Sequence, residues 1–179
     1  GAQPSLKELR PGRSLESEPG ILVEQLCALA NAAAEAGKAP AAEHVRAALG
    51  ALPKARTIAE VVLPVASALS GPRLTGLLLV FLEWASSWKE EEIKHLASQL
   101  SGVKWLPVED GSVRSVDDAF DPSDSPGDFW TVRERRAKID ADVVHAGVAA
   151  DSVWRVLRLC GLKADLTWED AVLEAEAIV

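Results

Sequence analysis

Gly71-Pro72-Arg73-Leu74-Thr75-Gly76-Leu77-Leu78-Leu79-Val80-Phe81-Leu82-Glu83-Trp84-Ala85-Ser86-Ser87-Trp88 opens on a Gly-Pro break and carries only Arg73 and Glu83 as charges. Leu74, Leu77, Leu78, Val80, Phe81 and Trp84 cover most of a helix circumference instead of one stripe. A helix apolar on most faces belongs at the centre of a bundle. The nearly uncharged stretch 57–81 is interrupted by Glu60, Pro64, Gly71, Pro72 and Arg73. It therefore reads as two buried helices and not as one membrane span.

Upstream, Ile21, Leu22, Leu26, Leu29, Ala33 and Ala36 recur at three- and four-residue intervals up to Gly37, the pattern of an amphipathic helix ended by a glycine cap. Pro40 sits near the first turn of a second helix through Val45, Ala48, Leu49 and Leu52, stopped before Pro53. Thr57 with Glu60 three residues on suggests a capping box for a third helix, which Pro64 should kink or start. Residues 1–20, rich in Pro and Gly, read as an extended lead-in. Downstream, Lys89 to about Leu100 alternates an apolar side, Ile93, Leu96 and Leu100, with a charged one, and Gly102 ends it.

Beyond residue 102 the period shifts. Val103, Trp105 and Leu106-Pro107-Val108, then Glu109-Asp110-Gly111 and Ser112-Val113-Arg114, predict a hairpin with Asp-Gly at the bend. Residues 117–130, rich in Asp, Pro and Gly, predict a loop anchored by Phe120, Phe129 and Trp130. Asp151 is a candidate cap for a helix from Ser152 to Cys160, which Gly161 stops. Thr167 caps the last helix with Asp170 at its third position, and Ala171, Val172, Ala175 and Ile178 are its expected buried stripe. The fold class is mainly α: a helical bundle over 21–102, followed over 103–179 by a small α+β segment with one short β-hairpin.

The chain has 179 residues and a formal charge of −8. That balance argues against a nucleic-acid surface, which needs clustered Lys and Arg to displace counterions. The basic run Arg133-Glu134-Arg135-Arg136-Ala137-Lys138 is interrupted by Glu134 and set among aspartates, so it reads as a solvated face. Cys27 and Cys160 are too few for a disulfide scaffold and sit in apolar helical patterns, where thiols pack as small hydrophobes. No signal peptide pattern is visible, and an intracellular, cytoplasmic location is the expectation. The opening Gly1-Ala2, with no Met anywhere in the chain, suggests a segment of a longer protein with neighbouring domains.

Catalytic signatures are weak. His44, His95 and His145 lie on separate elements without zinc-ligand spacing. No G-x-S-x-G elbow, P-loop or Rossmann fingerprint occurs. The acidic stretch holding Asp121 and Asp124 has some alternation of oxygen ligands, but Gly127 is misplaced for a calcium loop and Pro122 and Pro126 stiffen it. It reads as a solvated loop, with a divalent-metal hydrolase as the alternative. No cofactor and no catalytic residue are expected. Tryptophan is the unusual residue: Trp84 and Trp88 fall one helical turn apart, for the core or for a partner-binding face that would also use Phe129 and Trp130.

Trp105-Leu106-Pro107-Val108-Glu109-Asp110-Gly111, continuing to Ala119-Phe120-Asp121-Pro122, resembles a recurrent "wLP...G.l....eLfDP" phrase of the sacsin family. Leu157 through Gly161-Leu162-Lys163 to Leu166-Thr167-Trp168-Glu169-Asp170-Ala171-Val172 and on to Ile178 is similar to the "L..LGLk..Lt.eDvl..A..I" phrase that follows it there. The resemblance covers about residues 103–178. Sacsin-family proteins are very large chaperone-associated chains with an ATPase module of the heat-shock ninety type, followed by helical segments. None of that module's nucleotide-binding motifs occurs here. The resemblance implies a non-catalytic scaffold or client-contact segment with a protein partner or client. The alternative is an independent helical adaptor gripping its partner through a Trp-containing face.

Overall fold

The computed structural model describes residues 19–38, 40–50, 57–123, 129–139 and 147–179. Among them are α1 (Pro19–Glu35), α2 (Ala42–Leu49), a π-helical turn (Ile58–Val62) running into α3 (Leu63–Ala68), α4 (Gly71–Ala85) and α5 (Glu90–Leu100). After these come β1 (Leu106–Pro107), β2 (Val113–Arg114), a 3₁₀ turn (Val116–Asp118), α6 (Trp130–Glu134), α7 (Ala150–Leu159) and α8 (Trp168–Ile178). Among the described residues the fold is mainly α with one two-stranded antiparallel hairpin, as the sequence pattern predicts. The lead-in, apart from Pro19 and Gly20, which are already helical, lies outside the described residues, as do Leu52 and Pro53.

Helix α4 is the axis of the bundle. Every residue from Leu74 to Leu82 is buried, and α1, α2 and α7 pack around it. Gly76 lets Pro40 approach closely: a Cβ there would lie 3.1 Å from the Pro40 ring. The start of the third helix departs from expectation. Thr57 has helical angles, φ −59° and ψ −43°, in place of the extended backbone of a cap. Pro64 is accommodated by the π-turn just before it, where the Leu63 amide reaches back to the Ile58 carbonyl. Widening the turn ahead of a proline absorbs the bond that its missing N–H cannot make.

Gly37, at φ +68°, closes α1 while the Lys38 amide bonds the Ala33 carbonyl at 2.8 Å. At the other end of the fold Gly161, at φ +102°, does the same for α7, and the Leu162 amide returns to the Leu157 carbonyl at 3.1 Å. Helix α7 begins two residues earlier than expected, at Ala150 in place of Ser152. Ala149 occupies the cap, and Asp151 lies inside the first turn, where its charge suits the helix dipole. The hydrophobic core is continuous from Leu22 through Trp105 and Val116 to Leu162. Thr75 stitches α4 to the hairpin, its hydroxyl donating to the Trp105 carbonyl.

The hairpin pairs Leu106 with Arg114 and Pro107 with Val113. It extends into a small node of backbone pairing. The Glu109 and Asp110 amides donate to the carbonyls of Arg136 and Glu134, at 3.0 and 3.1 Å, and the Lys138 amide donates to Pro107 at 2.8 Å. Phe120 is bridged to Arg136 on one side and to Lys163 on the other. The run 133–138 is thus drawn into the fold and is not a solvated face: Arg135 and Ala137 are buried.

Candidate interaction surface

Helix α8 starts from a local signal. Thr167 Oγ1 accepts the Asp170 amide at 3.3 Å, and Asp170 Oδ2 accepts the Thr167 amide at 2.9 Å, a reciprocal capping box. What the helix then buries is the reverse of the expected stripe. Its buried residues are Asp170 and Glu174, while Ala171, Val172, Ala175 and Ile178 all face solvent. Trp168 is 79% exposed and Ile178 78%.

The reason is charge. Asp170 accepts from Arg135 Nη2 at 2.7 Å and from Lys163 Nζ at 3.2 Å. Arg135 also donates to Asp118 at 3.1 Å and to the Thr131 carbonyl at 3.2 Å. Both cations lie against the fully buried Phe120 ring, Arg135 at 4.9 Å and Lys163 at 5.5 Å. Burial pushes the Asp170 carboxyl up. The Thr167 amide, Arg135, the Thr167 hydroxyl and Lys163 together outweigh it and hold the carboxyl well below the usual range. A carboxylate so surrounded stays charged when buried.

Glu174 docks the other turn. Its two carboxylate oxygens accept the Trp130 and Thr131 amides at 2.9 and 2.8 Å, and the Thr131 hydroxyl donates to it at 2.5 Å. These are amides that a helix start leaves without an intrahelical partner, so a side chain of α8 caps α6 across the fold. Hydrogen bonds from the Thr131 hydroxyl and amide lower the Glu174 carboxyl. With Asp170 and Glu174 one turn apart on the inward side, the apolar side must turn outward.

The residues singled out from the sequence fall into two groups. Trp88 is buried, and Trp84, half-buried, meets it edge-on with ring centroids 5.0 Å apart. This pair packs into the core, and the Trp88 side is not open to a partner. Phe129 and Trp130 are 38% and 58% exposed, so of the three expected anchors of the acidic loop only Phe120 is an anchor. Trp130 starts α6, with the Arg133 guanidinium 5.8 Å over its ring. Trp168, which the sequence pattern did not assign to a partner face, is the most exposed aromatic among the described residues.

Asp121 is buried, and its carboxylate accepts Arg158 Nε at 2.6 Å and the Ser123 amide at 2.8 Å. It is therefore not part of a solvated loop, and Asp124 lies outside the described residues. No group of three metal-ligating side chains occurs among the described residues. His44 is on α2 and His95 on α5, while His145 lies outside the described residues. Cys27 and Cys160 are free thiols packed against the core; burial raises both, Cys160 to about 12. A cleft of about 210 Å³ lies between Leu82, Ala97, Leu100, Trp105, Val116 and Cys160. No described helix is long and apolar enough to cross a membrane.

No family model, curated protein or solved structure matches the chain.

Proposed function

We propose that this chain is a non-catalytic protein-interaction segment, a scaffold or client-contact piece of a larger chaperone-associated protein of the kind the sacsin resemblance implies. The observation that carries the reading is the inverted burial of α8, which buries two acids, Asp170 and Glu174, and leaves its apolar residues in water. Exposed large apolar side chains grouped on one element are a usual mark of a binding surface. The adaptor reading keeps a Trp-containing face but moves it from Trp84 and Trp88 to Trp168, with Trp130 and Phe129 on the neighbouring α6 start. A net charge of −8 favours a protein over a nucleic acid as partner. Two unpaired cysteines favour a reducing, cytoplasmic setting.

A selection from a displayed peptide library tests this. Sequences enriched on the wild-type chain and lost on V172E support it; enrichment indifferent to V172E, or none, defeats it. Calorimetry with ATP tests the non-catalytic part, because saturable binding would contradict it.

A further inference from the structure

We propose that the outward face of α8 receives an amphipathic helix from a separate protein partner, with an apolar seam flanked by Lys or Arg. This rests on the reading of α8 as a docking surface and adds the chemistry of its occupant. Trp168 and Ala175, and likewise Ala171 and Ile178, are separated by seven residues, with Val172 beside them. A seven-residue apolar repeat is the seam that a second helix fits. The centre of the seam is small, Ala171 and Ala175, and its ends are large, Trp168 and Ile178. Small residues at the centre let a helix approach closely while bulky ends fix its position. Leu173 lies off this seam.

Charge selects the occupant. From residue 164 to 179 the sequence has no Lys, Arg or His. Asp170 and Glu174 are neutralised from within by Arg135, Lys163 and the α6 amides. Asp165, Glu169 and Glu176 remain exposed. Glu169 and Glu176, also seven apart, form an acidic edge along one side of the seam. A second copy of this chain, paired antiparallel, would set that edge against itself, and like charges there disfavour the pairing. An amphipathic helix that binds lipid carries Lys and Arg on its polar face; this one carries acids. A basic helix satisfies both the seam and its edge.

The test uses the whole chain and two labelled synthetic helices with the same seven-residue Leu seam, one flanked by Lys and one by Glu. The Lys peptide is expected to bind saturably, more weakly as salt rises, and about tenfold or more weakly to V172E, whose exposed site leaves the melting temperature unchanged. The E169K/E176K chain is expected to prefer the Glu peptide. Equal binding of both peptides, lost in V172E, overturns the charge selection but leaves the docking surface standing. Dimerisation in sedimentation, or binding to phosphatidylcholine vesicles, when abolished by V172E, overturns the partner helix in favour of a second copy or a lipid. If neither peptide, self-association nor vesicle engages α8, both this inference and the docking reading fall.

Discussion

Helices α4 and α8 meet the solvent in opposite senses. In α4 the residues from Leu74 to Leu82 are all buried, and the helix is held by apolar contact with α1, α2 and α7. In α8 the buried residues are two acids, held by Arg135, Lys163 and the α6 amides, and the apolar residues are left outside. Burial of apolar area is non-directional, so the core positions of α4 tolerate apolar substitutions that conserve volume. A carboxylate fixed by several donors has one good orientation, and it can dictate which face of a helix turns inward.

The largest effect should come from removing the cation at the centre of that network. R135A leaves Asp170 and Asp118 without their shared guanidinium and is expected to cost about 3–5 kcal/mol in urea unfolding at neutral pH. A loss below that of an exposed arginine would break the contrast between the two helices. L78A, in the axis of the bundle, is expected to cost about 2–5 kcal/mol by the same measurement. Both variants destabilise, but they separate on acidification.

The pH dependence follows from the lowered carboxyls of Asp170 and Glu174. A folded-state value below the unfolded one gives stability that is complete above the ordinary carboxylate range and is lost as pH falls below it. The wild-type chain should therefore weaken below about pH 4, and R135A should show a flatter acid limb than L78A. A parallel fall in both variants would remove the charge explanation for α8. E174Q, more local still, should speed hydrogen exchange at the Trp130 and Thr131 amides while leaving the amides of α4 protected. The smallest effect is expected of V172E, whose unfolding free energy should stay within about 0.5 kcal/mol of wild type. A large loss there would mean that the outward side of α8 is covered.

Local patterns carried much of this fold. The all-round apolar run of α4, the Asp-Gly hairpin, the Gly37 and Gly161 stops and the Thr167–Asp170 box each depend on neighbours within a few residues, and each appears where the pattern puts it. The reversal of α8 was not legible, because amphipathicity is read on the premise that the apolar side faces in. Arg135 was misread for a related cause: inside a basic run it has no local partner, and its acids arrive from positions 118 and 170. Trp88 and Trp168 show the same limit, since spacing does not tell which tryptophan the packing covers.

The sequence by itself determined a mainly helical chain with an apolar central helix, one hairpin and a capped last helix. Those features follow from short-range sterics, capping and periodicity. Only the tertiary structure decided that the last helix turns Asp170 and Glu174 inward and its apolar seam outward. Its carboxylates find Arg135 and the α6 amides through contacts distant in sequence, and the strength of such bonds depends on geometry that no local pattern encodes.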